Sequence, residues 1–162
     1  MASPLRPPVG VGDPAPDFVL AGTGGRHYAL AEERGEPVVL VFYPGDNTPV
    51  CTRQLVSYSA DLPDFTELGA RLLALSPQDV ASHEAFAAQH DLGFPLLADT
   101  DKAVAEAYGV LGPLGFYRRS VFVIDAEGVV RYAHRAVAGM RFRTSDELVA
   151  AVRAAQVAGS AS

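Results

Sequence analysis

The sequence predicts a single α/β domain in which a mixed central β-sheet is flanked by helices. Apolar runs of strand length recur along the chain, as expected for strands that are buried on both faces. These runs alternate with segments of helical periodicity, and the pattern closes on a hairpin followed by a helix. A length of 162 residues is enough to bury one hydrophobic core.

The predicted strands follow in chain order. A short N-terminal β-hairpin comes first, because the glycine-rich turn 22–25 separates two strand-like segments, 18–20 and 27–30. The buried strands are the apolar runs 38–42, 71–75, 120–124 and 129–134, and the last two flank the turn 125–128.

Helices are predicted between and after these strands. One begins at Thr48, and the others cover 79–90, 101–108 and 144–152. We expect residues 1–10 to form a flexible arm, 11–153 the single domain and 154–162 a frayed tail, because periodicity is lost at both ends.

Composition and charge exclude several classes of function. A net charge of −6 argues against a nucleic-acid partner, which needs clustered Lys and Arg. No apolar run has the length of a membrane span, and the first residues lack the apolar stretch of a signal peptide, so we predict a cytoplasmic protein that does not bind membranes. The four histidines are dispersed, and no metal or other cofactor is predicted.

The single cysteine, Cys51, lies where a helix is predicted to begin. Thr48 is a preferred N-cap residue and Pro49 suits the first helical position, so Cys51 falls in the first turn. Unpaired backbone N–H groups and the positive end of the helix dipole favour the thiolate there, and the thiolate is the reactive form. The sequence therefore predicts one nucleophilic sulfur.

The spacing of Pro44, Thr48 and Cys51 resembles the active-site motif of the peroxiredoxins. The wider run 42–52, Phe-Tyr-Pro-Gly-Asp-Asn-Thr-Pro-Val-Cys-Thr, resembles the Q-type or bacterioferritin-comigratory subfamily. The resemblance extends from Asp13 through the Phe-Pro-Leu-Leu-Ala-Asp run at 94–99 to 119–125. It implies a thioredoxin-like fold, with which the strand and helix pattern is compatible, and a role in antioxidant defence.

The resemblance also implies roles for individual residues. Cys51 would attack hydrogen peroxide or an organic hydroperoxide and become a sulfenic acid. Thr48, the backbone N–H of Cys51 and an arginine would hold the peroxide, while Pro44 would shield the sulfur from water. The family arginine precedes the strand phenylalanine by three residues, which selects Arg119 and leaves its neighbour Arg118 on the opposite face.

Two positions near the motif leave questions open. Gln54 stands where many relatives have Glu, so its hydrogen-bond partner is not predicted. Tyr43 either packs at the end of its strand or brings a hydroxyl near the pocket.

The second half of the reaction needs another molecule. Many Q-type relatives carry a resolving cysteine five residues after the first, where this chain has Val56. Because Cys51 is the only cysteine, no intramolecular disulfide can form. We predict a one-cysteine peroxidase whose partner is an external thiol: thioredoxin, a glutaredoxin-like protein or a small thiol.

Other functions and the assembly state stay open at this stage. A peroxide sensor or redox relay would use the same sulfur but pass oxidation to a partner protein. A thioredoxin-type oxidoreductase is disfavoured because a Cys-x-x-Cys pair is absent, and a non-catalytic binding module with a buried cysteine is a further alternative. We expect a monomer or weak homodimer, and interpret the apolar segment 111–117 as a pocket wall rather than a dimer face or a docking surface.

Overall fold

The computed structural model describes residues 8–136 and 142–160, with side chains as far as Val157. Within these ranges the strands form one mixed sheet in the order β2-β1-β5-β4-β3-β6-β7. Their bounds are Val19–Gly22 (β1), Arg26–Ala29 (β2), Val38–Phe42 (β3), Arg71–Ser76 (β4), Leu96–Ala98 (β5), Ser120–Ile124 (β6) and Val130–Arg135 (β7). The central strand β3 is parallel to β4 and antiparallel to β6, so the predicted mixed sheet is confirmed.

Helices cover both faces of this sheet. They are Pro49–Ala60 (α1), Leu62–Thr66 (α2), Val80–His90 (α3), Ala103–Tyr108 (α4) and Ser145–Ser160 (α5), with short 3-10 turns at Leu30–Glu33 and Pro113–Gly115. Alternate residues of β3 enter two separate cores, as the two-residue period of a strand requires. Val41 packs in the core that contains Leu55 of α1 and Val152 of α5, whereas Phe42 packs with Tyr108 of α4 on the other face.

The register of the two central antiparallel strands determines which residues meet at one edge of the sheet. Phe42, the last residue of β3, lies opposite Ser120, the first residue of β6. The residue before β6, Arg119, is therefore placed beside the loop that follows β3. Helix α1 begins after that loop, so Cys51 and Arg119 come together although they are far apart in sequence.

Several elements differ from the sequence prediction. Strand β5 and helix α2 were not predicted, because both are short and each depends on packing against β4. Helix α5 continues through the predicted frayed tail to Ser160, since Ala155 is buried in the core and Gln156 donates from Nε2 to the carbonyl of Leu68 at 2.6 Å.

The described part of the predicted flexible arm is held against the domain. Arg135 of β7 donates from Nη2 to the Val9 carbonyl at 2.5 Å, and the N–H of Gly10 donates to the Asp13 carboxylate at 2.9 Å. Residues 1–7 and 161–162 lie outside the described residues. The bounds of the single domain, 11–153, stay a prediction. In the described ranges no helix combines the length and the apolar character needed to cross a bilayer.

Candidate active site

Helix α1 begins where the sequence predicts, with Thr48 at the N-cap and Pro49 in the first turn. The Thr48 hydroxyl donates to the carbonyl of Gly45 at 3.3 Å and does not cap the helix. The first-turn N–H groups of a helix have no intrahelical acceptor. The N–H of Cys51, at the third helical position, therefore lacks both an intrahelical acceptor and the Thr48 side chain as a partner. Such a group can donate to a substrate oxygen.

A direct contact joins Cys51 to Arg119. Nη1 of Arg119 lies 3.3 Å from Sγ of Cys51, and the two side chains are almost wholly buried, with 0% and 5% of their residues' surface exposed. A guanidinium in a poorly solvated place stabilises negative charge on a neighbouring sulfur. The helix N-terminus acts in the same direction. The arrangement is suited to a nucleophilic thiolate.

Gln54 orients this arginine, which answers the question left open by the sequence. Its Oε1 accepts from Nη1 of Arg119 at 2.5 Å, and its Nε2 donates to the hydroxyl of Tyr58 at 3.4 Å. The Tyr58 hydroxyl in turn donates to the Arg143 carbonyl at 2.5 Å, and burial raises the pKa of Tyr58 to about 12. The tyrosine thus stays protonated at neutral pH, and the amide of Gln54 is held in one orientation.

The neighbouring arginine, Arg118, has a different hydrogen-bond partner from Arg119. Arg118 donates from Nε to the carbonyl of Ala136 at 3.1 Å, whereas Arg119 turns to the cysteine. Of the predicted catalytic residues, only Cys51 and Arg119 are joined by a hydrogen bond in the described part of the chain. Pro44 is half-buried at the start of the loop, and Thr48 is exposed at its end.

Sequence reasoning missed a buried polar cluster behind this loop. Asp46 accepts hydrogen bonds from the hydroxyls of Tyr43 and Ser82, both at 2.7 Å, and its Oδ2 lies 2.8 Å from Nδ1 of His83. Tyr43 is fully buried and donates its hydroxyl hydrogen to Asp46. Ser82 and His83 are adjacent in the sequence, but nothing there indicated that Asp46 would reach them.

The surroundings of this cluster lower the pKa of Asp46 and raise the pKa of Tyr43. Burial opposes ionisation of the Asp46 carboxyl, but the hydrogen bonds from His83, Tyr43 and Ser82 outweigh it and hold its pKa below the usual range. Burial, with the charge of Asp46, raises the pKa of Tyr43 far above its ordinary value. The cluster thus contains a carboxylate and a neutral phenol at neutral pH.

Val56 and part of the segment 111–117 lie on the surface. Val56, at the position of the resolving cysteine in many relatives, is partly exposed. In the segment 111–117, Leu114 and Phe116 are 92% and 67% exposed, so most of their apolar surface faces solvent; a pocket-wall role for this segment stays a prediction. Over the described residues, no cluster of three His, Cys, Asp or Glu side chains is arranged to hold a metal ion.

The sequence profile of the AhpC/TSA family matches residues 11–133, which is most of the chain. The chain belongs to the AhpC/TSA family. Relatives named peroxiredoxin Q and peroxiredoxin Bcp place it with the Q-type members, as the motif predicts.

Two relatives and one solved structure give the extent of the similarity. The chain is 37% identical to the chloroplastic peroxiredoxin Q of Triticum aestivum over 78% of its own length and 59% of that protein's, so it spans less than two thirds of the plant relative. It is 36% identical to peroxiredoxin Bcp of Xanthomonas campestris, over 75% of this chain and 80% of the relative.

The solved structure is that of the Xanthomonas campestris bacterioferritin comigratory protein, and it concerns the alkyl peroxide reduction activity of that protein. It superposes with a TM-score of 0.79 at 33% identity, covering 86% of this chain and 92% of the other. The predicted thioredoxin-like fold of the peroxiredoxins is thereby confirmed.

Proposed function

We propose that the protein is a one-cysteine thiol peroxidase that reduces hydrogen peroxide and organic hydroperoxides through Cys51. The observation that carries this proposal is the 3.3 Å contact between Arg119 Nη1 and Cys51 Sγ in the first turn of α1. Membership of a peroxiredoxin family supports it, as does the alkyl peroxide reduction attributed to the similar Xanthomonas protein.

The first step is a two-electron oxidation of the sulfur. The Cys51 thiolate attacks one peroxide oxygen, the O–O bond breaks, and the leaving oxygen takes a proton to become water or an alcohol. Sulfur is left as a sulfenic acid. Negative charge shifts from sulfur to the leaving oxygen during this step, and donors fixed in advance around that oxygen lower the barrier.

The donors available for this role come from three elements. Arg119 supplies guanidinium N–H groups from the start of β6, Cys51 supplies its backbone N–H from α1, and Thr48 supplies a hydroxyl from the loop before α1. In this structure the hydroxyl of Thr48 is bonded to Gly45, so it exchanges that weak 3.3 Å bond for one to the peroxide. Pro44, half-buried at the start of the same loop, keeps water away from the thiolate.

The sulfenic acid is reduced by thiols from other molecules. A first thiol condenses with it, releasing water and leaving a mixed disulfide on Cys51. A second thiol attacks that disulfide, which frees Cys51 and releases the oxidised reductant. Since the chain has one cysteine, both thiols are external, and thioredoxin, a glutaredoxin-like protein and small thiols are the candidates. We propose a monomer or weak homodimer, and a cytoplasmic location stays a prediction.

Turnover with defined reductants tests this proposal. Purified protein is mixed with hydrogen peroxide or cumene hydroperoxide and with thioredoxin plus its reductase, a glutaredoxin system, or dithiothreitol, and peroxide consumption is followed. We expect turnover with at least one thiol system, and trapping of the sulfenic acid at Cys51 by dimedone, detected by mass spectrometry. Cys51→Ser is expected to lose both.

Two results would contradict the proposal. In one, the wild-type protein consumes peroxide with none of these thiols. In the other, Cys51→Ser retains the activity. Fast oxidation of Cys51 without turnover, followed by disulfide transfer to another protein, would instead support the sensor or relay alternative.

A further inference from the structure

The loop that carries Thr48 is held from behind by helix α3. This loop joins the end of β3 to the start of α1 and includes Gly45, Asp46 and Asn47. The backbone N–H of Asp46 donates to Oε1 of Gln78, and its carboxylate accepts from Ser82 and contacts His83. All of these contacts fix the loop to the segment that leads into α3 and to the first turn of that helix.

One residue of this loop has a left-handed backbone conformation. Asn47 has a φ of 65°, in the left-handed region that asparagine adopts more readily than most residues other than glycine. A conformation of this kind costs on the order of 1 kcal/mol and persists when surrounding contacts determine it. Asn47 itself is exposed, and its neighbour Asp46 makes the buried hydrogen bonds of this turn.

His83 is anchored independently on its other side. Its Nε2 lies 3.0 Å from the carbonyl of Leu97 in β5, and because a carbonyl only accepts, Nε2 carries a hydrogen. On the opposite side, Nδ1 lies 2.8 Å from Oδ2 of Asp46. The imidazole therefore connects the catalytic loop to the central sheet, and both of its nitrogens are occupied.

We propose that Asp46 and His83 are positioning residues for the peroxidase reaction, which rests on the proposed function. They hold the turn 45–47 so that the hydroxyl of Thr48 and the first-turn N–H groups of α1 converge on the oxygen atoms of a peroxide at Cys51. Both side chains are fully buried, so they act through the loop and do not touch substrate.

The ratio of two Cys51 reaction rates, oxidation by peroxide and alkylation by iodoacetamide, distinguishes positioning of the peroxide donors from a general change in the reactivity of the sulfur. Oxidation by peroxide requires the oxygen donors to be aligned, whereas alkylation by iodoacetamide requires only a thiolate that can be reached. Loss of alignment therefore lowers the first rate and leaves the second unchanged or faster. A displacement of about 1 Å in a catalytic geometry costs roughly 100-fold in rate, so partial loosening should be easy to measure.

The test compares Asp46→Asn, His83→Gln and the double variant with the wild-type protein by stopped-flow kinetics. We expect each single variant to lose about tenfold or more in the rate with hydrogen peroxide, with alkylation no slower than in the wild type. Because the two side chains act as one unit, the double variant should lose little more than either single variant.

Matched variants control for stability. Asp125→Asn removes a buried carboxylate at the far end of β6, and His90→Gln changes a histidine at the end of α3; both should keep the ratio of the two rates within about twofold of the wild type. Tyr43→Phe removes one hydrogen bond to Asp46 and keeps the buried ring, so it provides a milder variant if either single variant fails to fold. It should lower the peroxide rate about threefold.

The outcomes separate the two proposals. In one outcome, Cys51 of the wild-type protein is oxidised rapidly and the variants have the same ratio of oxidation rate to alkylation rate. This result would overturn the positioning role and leave the peroxidase function standing. Equal losses in both rates would also overturn positioning, because the sulfur itself would then be less reactive. Slow oxidation of the wild type would overturn both proposals.

Discussion

A buried charged residue flanks each end of strand β6, and the two residues have different partners. Arg119 precedes the strand and Asp125 follows it. Just before its first residue, Arg119 contacts the sulfur of Cys51 and the amide oxygen of Gln54. Just after its last residue, the Asp125 carboxylate accepts from Nε of Arg131 at 2.7 Å and from the N–H groups of the following turn. One end directs a cation at a nucleophile, and the other pairs a cation with a carboxylate. The group that each arginine contacts, a sulfur at one end and a carboxylate at the other, therefore distinguishes the two ends.

Removing Arg119 should have the largest effect. Arg119→Ala is expected to slow oxidation of Cys51 by about 100- to 1,000-fold, because it removes a fixed donor to the leaving oxygen and the cation beside the thiolate. Stopped-flow fluorescence or competition with a reference peroxidase measures this rate. Unchanged oxidation in a folded Arg119→Ala protein would contradict the catalytic role of this end of β6.

Replacing Gln54 tests whether the arginine must be held in place. Gln54→Ala leaves the Arg119 guanidinium without its amide acceptor, and we expect about a tenfold loss in the oxidation rate. Gln54→Glu retains an acceptor oxygen and should lose less. The same peroxide assay decides the order, and an alanine variant as fast as the glutamate variant would show that Gln54 does not orient Arg119.

The other end of β6 should affect stability and its pH dependence. Burial opposes ionisation of Asp125, but hydrogen bonds from Val129, Arg131 and Glu127 outweigh it and lower its pKa. The stability from this ionised group is present above the ordinary Asp value of about 4 and is lost as pH falls through the lowered folded value.

Asp125→Asn should therefore lower the free energy of unfolding by about 1–3 kcal/mol at pH 7, with the difference shrinking under acid conditions. Urea unfolding at pH 7, 5 and 3 measures it. A difference that grows on acidification would contradict the sign of the shift, and an accompanying loss of the oxidation rate would contradict the separation of the two ends.

The smallest effect on the rate of oxidation by peroxide is expected for Arg118, the residue next to Arg119. Arg118→Ala loses a hydrogen bond to the Ala136 carbonyl and should change the peroxide rate by less than about twofold. It is the matched control for Arg119→Ala, because the two residues are adjacent and chemically identical. Comparable losses in the two variants would remove the distinction between their roles.

Sequence reasoning reached the site through local signals. The apolar runs of β3 and β6 and the Thr48-Pro49 helix start are encoded by neighbouring residues, so their positions were predicted closely. The choice of Arg119 over Arg118 came from the family resemblance, and the register of β3 with β6 explains why Arg119 meets Cys51.

What the sequence missed depends on contacts between distant segments. Strand β5 exists through its pairing with β4, and the end of α5 is held by Ala155 in the core. Asp46 and His83 are 37 residues apart, and neither belongs to a periodic pattern that would bring them together. Polar pairs of this kind become visible only once the strands between them are arranged in the sheet.

The most direct test of the central claim is the second-order rate constant for oxidation of reduced Cys51 by hydrogen peroxide, measured by stopped flow against a free thiol at the same pH. The structure predicts a rate orders of magnitude above that of the free thiol, falling by about 100-fold or more in Arg119→Ala and little in Arg118→Ala. A Cys51 that reacts no faster than the free thiol would contradict the account.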